Sequence, residues 1–248
     1  MIQEIFSIKN KNILVIGASS GIGKYLSDQL LALDCSVIGV GRRLVNPSFL
    51  YRQLDLSIDS SIDSLLEFIK ENYAQIDGII LNMAISSPPL KSSDSSNKLQ
   101  NIEAFNSILH TNLNSNYKII NKLSNLLGIN SSLIFISSIG ANLGFPDNPA
   151  YQASKAAIEA LSRSMAIDLA SKGIRSNCIR LGYFKAPMTE VSYNDKNMRK
   201  KRSERTILNR WGELDDILGP TVFLLSEASK YITGSVITVD GGWCSKGL

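Results

Sequence analysis

A chain of 248 residues with 44% hydrophobic residues and a formal net charge of +4 is long enough to bury a sizeable core as one α/β domain over residues 1–248, and its charge calls for no nucleic-acid partner. Three widely spaced cysteines, Cys35, Cys178 and Cys244, suit neither a disulfide framework nor a zinc knuckle and are expected as buried thiols; a single histidine, His110, excludes any metal site built on two or three imidazoles. No apolar stretch approaches the roughly 20 residues that span a bilayer, and Met1–Asn10 lacks the apolar block of a secretory signal, so the expectation is a cytoplasmic protein without a membrane partner.

In chain order, short β-branched or apolar runs predict strands at Asn12–Ile16, Ser36–Val40, Gly78–Leu81, Ser132–Ile136, Arg175–Ile179 and Ser235–Val239, with Tyr51–Leu54 as a weaker seventh. Between them, apolar residues at helical spacing predict helices at Ile22–Leu33, Ser60–Tyr73, Ile102–Leu127, Pro149–Lys172 and Leu214–Leu225. The alternation predicts a Rossmann-type doubly wound sheet of about seven parallel strands with helices on both faces. Ser86–Gln100, rich in Ser, Pro and Lys, reads as a mobile surface loop.

The first strand runs into Gly17-Ala18-Ser19-Ser20-Gly21-Ile22-Gly23 and then a helix. Glycines there permit positive φ and close approach of a dinucleotide, and the helix N-terminus offers free amides to its pyrophosphate. The second strand ends in Gly41-Arg42-Arg43, with no acid to bond a ribose 2′-hydroxyl and two arginines able to accept a 2′-phosphate, so NADP(H) is preferred and NAD(H) is the alternative. Asn82 ends the fourth strand, where a structural tie between strand ends is its expected job. Ser137-Ser138 closes the fifth strand at the edge where open parallel sheets bind ligands, and a hydroxyl there can polarise a substrate oxygen. Tyr151 and Lys155 lie four residues apart on one helical face; an ammonium beside a phenol, together with an oxidised nicotinamide, is expected to lower the tyrosine towards working pH and make it an acid/base.

In these residues the chain resembles the short-chain dehydrogenase/reductase family in its compact form. The resemblance covers nearly the whole sequence: Gly17-x3-Gly21-x-Gly23, Asp55-Leu56, Asn82-Met83-Ala84, Asn112, Ser138 thirteen residues before Tyr151, Lys155, and Tyr231-Ile232-Thr233-Gly234 leading to Val239-Asp240-Gly241-Gly242. It implies Tyr151 as acid/base, Lys155 as its modulator and a ligand of the nicotinamide ribose, Ser138 on the substrate oxygen, and Asn112 holding a water that relays protons from Lys155. Ser19, Ser20, Ile22, Asp55, Leu56, Asn82, Met83, Ala84, Gly182 and Phe184 would border the cofactor with the glycines, beneath a segment following Gly182. The implied activity is hydride transfer between nicotinamide and a small-molecule carbonyl or secondary alcohol, in a homotetramer or dimer assembled partly through Tyr231–Trp243.

Departures from the family pattern are Ile16 for Thr, Met83 for Asn, Ile85 for Gly, Leu181 for Pro, and Ala186 for a Thr that bonds the nicotinamide carboxamide. The stretch Pro187–Arg210 is expected as the substrate lid, carrying Tyr193, Met198 and Arg199-Lys200-Lys201-Arg202. That basic run reads as a solvated helix face or as an attractor for phosphate, carboxylate or an acyl-carrier protein, with Lys172 and Arg175 extending the surface. Within the family the chain is similar to 3-oxoacyl-carrier-protein reductases and equally to sugar and polyol dehydrogenases; the rival readings are a nucleotide-sugar epimerase or dehydratase, whose usual C-terminal substrate domain this chain has no room for, and a catalytically weak NADP(H)-binding sensor or scaffold.

Overall fold

The computed structural model of the chain describes residues 2–86 and 101–247. Its elements are α1 (Ile2–Ile5), β1 (Asn12–Ile16), α2 (Gly21–Ala32), β2 (Ser36–Gly41), β3 (Leu50–Gln53), α3 (Asp59–Asn72), β4 (Ile76–Leu81), α4 (Ile102–Leu109), α5 (Ser115–Leu123), β5 (Leu127–Ser138), α6 (Pro149–Asp168), β6 (Arg175–Leu181), α7 (Glu190–Asn194), α8 (Lys196–Arg205), α9 (Leu218–Leu225) and β7 (Val236–Val239). The seven strands form one parallel sheet in the order β3-β2-β1-β4-β5-β6-β7.

Side chains alternate across a strand, and β1 shows how this divides the core. Leu14 and Ile16 join Ile62 and Leu65 of α3, Ile119 of α5 and Ile158 of α6 on one face. Ile13 and Val15 join Leu26 and Leu30 of α2 and Leu224 and Leu225 of α9 on the other. Burial on both faces is why β1 reads as an unbroken apolar run rather than an alternating one. Parallel pairing then brings every carboxyl end to one edge: Ile16, Gly41, Gln53, Leu81, Ser138, Leu181 and Val239 each lead into the residues that the sequence marks as functional.

The departures from sequence expectation are local. The single helix expected over Ile102–Leu127 is interrupted by a π-helical turn, His110–Asn114, and Leu127 opens β5 instead of closing a helix. The wide turn is held by the Ser115 amide and hydroxyl, both donating to the His110 carbonyl, the hydroxyl at 3.0 Å. Helix α6 ends at Asp168, followed by a 3₁₀ turn and Gly173 at φ 70°. Leu214–Ile217 is likewise a 3₁₀ turn that leads into α9. The expected lid contains α7 and α8. Asp195 caps α8 by accepting from the amides of Asn197 and Met198 at 2.8 and 2.9 Å. Because α8 buries no residue completely, it carries no core-facing apolar stripe for a sequence reading to detect.

Cys35 and Cys178 are buried, whereas Cys244 is only half-buried, because it lies in the last 3₁₀ turn near the chain end. Burial raises all three thiols, to about 11, 12 and 11 respectively. Of the expected loop Ser86–Gln100, residues 87–100 lie outside the described residues.

Candidate active site

The turn after β1 is a cradle made of backbone. Gly17 has φ 87°, and a Cβ there would stand 3.1 Å from the Met83 amide; at Gly23 a Cβ would fall 2.1 Å from the Gly17 carbonyl oxygen. Side chains are excluded by close approach, so the loop packs against β4's exit and opens onto the N-terminus of α2, where the Ser20 side chain makes no cap. A dinucleotide pyrophosphate fits those amides. Pro187 lies over Gly21, whose Cβ would stand 3.1 Å from its ring, so the segment after Gly182 does reach across the glycine turn.

Beyond β2, Arg42 and Arg43 are exposed. Tyr51, which the sequence reading took only as part of a weak strand, belongs to this corner: its hydroxyl donates to the Arg43 carbonyl at 2.7 Å and is hydrogen-bonded to Ser19. Its signal was the register of β3, which sets Tyr51 beside Gly39, two residues before Gly41. Burial works to raise Asp55, but the hydroxyl and amide of Ser57 and the charge of Arg42 outweigh it and hold the carboxyl below its usual range. Leu56 is buried in the core, so its backbone rather than its side chain can border a cofactor. The same holds for Phe184: alternation along the extended segment turns Tyr183 to the crevice and Phe184 into the core against Gly212.

Asn82 donates to the Gly17 carbonyl at 3.4 Å, the strand-end tie expected of it. Asn112, buried in the π-helical turn, accepts from the Ile85 amide at 2.8 Å and donates to the Ile85 carbonyl at 2.9 Å and to Ser154 Oγ at 3.0 Å. Its carbonyl accepts from Asn116 Nδ2 at 2.6 Å. The side chain therefore clamps Ile85 to Ser154 of α6. His110 bonds the Ser57 carbonyl through Nε2 at 2.9 Å, a structural tie. Among the described residues no group of three or more His, Cys, Asp or Glu could hold a metal ion.

Ser138, Tyr151 and Lys155 meet at the carboxyl end of β5. Pro149 opens α6 at a position where its missing N–H costs nothing, placing Tyr151 in the first turn. Ser138 hydrogen-bonds the Tyr151 hydroxyl and accepts from the Gly140 amide at 3.1 Å. Lys155 Nζ donates to the Ile136 carbonyl at 2.8 Å and lies 5.5 Å from the Tyr151 ring centroid. Burial pushes Lys155 down to about 8. The expected lowering of Tyr151 is not supplied by the protein's own groups: burial raises it, the Ser138 bond opposes burial, and Tyr183 adds to the rise. Ser137 takes no part, since its hydroxyl donates to Glu159 Oε1 at 2.8 Å; that carboxylate is also gripped by Arg180 through Nε at 2.8 Å and NH2 at 2.6 Å.

Opposite Tyr151 stands an aromatic wall. Gln152 holds Phe145 by donating to its carbonyl and accepting from its amide at 2.5 and 2.7 Å. Tyr183 is the centre of the wall, meeting Phe145 edge-on and Trp211 and Trp243 at a tilt, 5.3 Å from Trp211 and 5.1 Å from Trp243, while Phe145 also meets Trp243. Asp240 accepts from the amides of Gly242 and Cys244, both at 2.8 Å, which curls the C-terminal turn and delivers Trp243 to this wall. Ala186, lacking the hydroxyl expected at its position, has its amide engaged by Thr189 Oγ1 at 3.2 Å; Thr189 also donates to the Phe184 carbonyl. Of the basic run, Lys200 and Lys201 are exposed and Lys200 faces Glu204 at 3.7 Å, whereas Arg202 turns inward over Tyr183 at 4.2 Å.

A family model described as Enoyl-(Acyl carrier protein) reductase matches residues 17–244. The chain is 32% identical to a 2-dehydro-3-deoxy-D-gluconate 5-dehydrogenase of Bacillus subtilis over 99% of both chains. Among solved structures it is similar to a short chain dehydrogenase family protein from Francisella tularensis, with 29% identity, TM-score 0.84, and coverage of 96% of this chain and 100% of that one. It shares its fold with a gluconate 5-dehydrogenase from Burkholderia cenocepacia in complex with NADP and tartrate, at 22% identity and TM-score 0.89 over the whole of both chains.

Proposed function

The chain belongs to the short-chain dehydrogenase/reductase family, an oxidoreductase of CH–OH and C=O groups, and from that membership we propose that it interconverts a keto acid of a sugar and the corresponding hydroxy acid with NADP(H), using Tyr151 as proton donor and acceptor. The observation that carries this reading is the Ser138–Tyr151 hydrogen bond with Lys155 beside it, at the sheet edge that also holds the glycine cradle. Sugar-acid chemistry is supported by the names of the similar dehydrogenases, and NADP(H) by the exposed Arg42 and Arg43 where an acid would select NAD(H).

When bound, the nicotinamide supplies or accepts the hydride at the substrate carbon. The protein handles the oxygen. Ser138 orients the carbonyl, and Tyr151, kept protonated by burial, gives its hydroxyl proton to that oxygen as the C=O bond is reduced; oxidation runs the same transfer backwards. Lys155, pushed to about 8 and so still largely an ammonium at pH 7, offsets the charge left on the phenolate and stands ready to bond the ribose. Asn112 acts as a positioning residue through Ile85. Gly17, Ser19, Ser20, Gly21, Ile22 and Gly23 hold the pyrophosphate, with Asp55, Asn82, Met83, Ala84 and Gly182 around the rest of the dinucleotide.

The test is Tyr151→Phe in the NADPH-dependent reduction of 5-keto-D-gluconate. General acid/base catalysis is worth roughly 10²- to 10⁴-fold, and a loss in that range is expected; near-normal turnover overturns the assignment. A substrate screen that finds acyl thioesters reduced and keto acids ignored would replace the sugar-acid reading with the carrier-protein one. We further propose a homotetramer, because β7 leaves Val236, Ile237 and Val239 half-buried at the sheet edge and Tyr231 fully exposed. Light scattering of a stable monomer would reject it.

A further inference from the structure

On α8, Arg199, Arg202 and Arg205 recur every third residue and share one side of the helix. Each guanidinium lies over an aromatic ring: Arg199 over Tyr193 at 5.3 Å, Arg205 over Trp243 at 5.7 Å, and Arg202 over Tyr183 at 4.2 Å and Trp211 at 5.8 Å. The outer two are exposed, but Arg202 is partly buried, and its NH1 nitrogen is enclosed without a hydrogen-bond acceptor. None of the ion pairs among the described residues includes it.

The other arginines withdrawn from solvent are provided for. Arg180 grips Glu159 with two nitrogens, and Arg175 donates to Ser229 Oγ and to the carbonyls of Leu224 and Ser226. Ring faces attract a cation but accept nothing from its in-plane N–H groups, so stacking alone leaves Arg202 with an enclosed charged donor, which is costlier to strand than a neutral one. The ring beneath it, Tyr183, meets Phe145 edge-on at 6.4 Å, and Phe145 is held through its amide and carbonyl by Gln152, the neighbour of Tyr151 in α6, so Arg202 borders the wall that begins beside the acid/base. The exit of α8 is pinned by the amides of Ile207 and Leu208, which donate to the Gly241 carbonyl at 2.8 and 3.1 Å.

We propose that Arg202 is the carboxylate-binding residue of the substrate site: a polyhydroxy keto acid lies along the aromatic wall with its ketone at Ser138 and Tyr151 and its carboxylate on the in-plane N–H groups of Arg202. The proposal rests on the sugar-acid reading and sharpens it, naming the group that separates an acid from a neutral sugar. One guanidinium fork matches the two oxygens of one carboxylate, whereas a phosphate ester would call on further donors, and Arg199 and Arg205 face their own rings at the margins.

Binding is read first, on the full chain with NADP+ present. Trp211 and Trp243 are the two tryptophans of the sequence and both line this wall, so intrinsic fluorescence reports its occupancy. The probes are D-gluconate and D-glucitol, which differ only in carboxylate against hydroxymethyl. Gluconate is expected to bind tighter, Arg202→Met to weaken it by roughly 10- to 100-fold while leaving glucitol unchanged, and Arg202→Lys to recover part of the loss. Should Arg202→Met not fold, Arg202→Lys with circular dichroism as control carries the comparison. Equal binding of the two probes by the native chain, or full gluconate affinity in the folded variants, overturns the proposal. The second measurement is reduction of 5-keto-D-gluconate and of L-sorbose, its neutral counterpart, by NADPH: the variant should raise KM for the acid alone, with kcat changed little. Arg202-dependent gluconate binding without turnover of the keto acid would leave the proposal standing and defeat the sugar-acid reading. Turnover of the acid untouched by Arg202 replacement would do the reverse.

Discussion

At the turn after β1 the walls of the crevice are backbone: a methyl group on Gly23 would collide with the Gly17 carbonyl, and one on Gly17 would press on the main chain of Asn82 and Met83 just beyond β4. Across the crevice, from Tyr183 to Trp211, the walls are side chains, four aromatics in tilted and edge-on contact and the arginines of α8, joined by ring contacts and few hydrogen bonds. A surface made of backbone has one shape and suits one ligand chemistry, for which a diphosphate is proposed here. A surface made of side chains can be altered without disturbing the sheet, so it is the part on which substrate choice can depend.

The largest expected effect lies on the backbone side. Gly23→Ala would place a methyl 2.1 Å from the Gly17 oxygen and 2.7 Å from Asn82 Nδ2, and should cost about 3 kcal/mol or more in urea unfolding and abolish NADPH binding. A stable, NADPH-binding variant would show that the cradle is softer than the contrast requires.

Lys155 sits between the two sides, and its burial gives a signature in pH. Its folded value of about 8 lies below the ordinary 10.5, so between those limits the unfolded chain carries a proton the folded chain has shed, and rising pH favours the fold. The native chain should therefore gain on Lys155→Met by up to about 3 kcal/mol from pH 7.5 to 10.5 in parallel denaturation curves. A constant difference would show that Lys155 is not desolvated.

Next in size is the corner proposed to hold a 2′-phosphate. Arg42→Ala with Arg43→Ala should weaken NADPH by roughly 10- to 100-fold, leave NADH unchanged, and shift stability by no more than about 0.5 kcal/mol, because both side chains are exposed. Equal losses for both cofactors in fluorescence titrations would count against 2′-phosphate recognition. The smallest effect belongs to the outer side of α8: Lys200→Ala with Lys201→Ala should change KM for 5-keto-D-gluconate by less than about twofold at physiological salt, since exposed charges there are screened. A several-fold rise would move part of the anion recognition from Arg202 to the helix exterior.

What was legible in the sequence was local or periodic. The glycine turn, the pair Tyr151 and Lys155 one helical turn apart, and Ser138 at a strand end are short-range patterns, and the strands that carry them begin within a few residues of where their apolar runs place them. The π-helical turn was not legible, because Ile102–Leu127 has helical composition throughout while the break depends on Ser115 reaching back to His110 and on Asn112 meeting Ile85, 27 residues earlier. Helix α8 escaped notice for the opposite reason: it has a capping Asp195 but no apolar stripe, since it covers a crevice rather than a core. Tyr51 and Thr189 were passed over because their partners, Ser19 and the Phe184 carbonyl, come together only through strand pairing and loop closure.

By itself the sequence determined the sheet, its direction and the candidate for the reacting hydroxyl, because alternation, glycine placement and i, i+4 spacing act over a few residues. Only the tertiary structure decided the charge states and the aromatic wall proposed to hold the substrate. Burial, which depends on everything packed around a group, leaves Tyr151 raised where its ammonium neighbour alone would lower it, and the folding of Tyr183, Trp211, Trp243 and α8 upon one another turns one arginine of an apparently solvated run into the enclosed charge of the crevice.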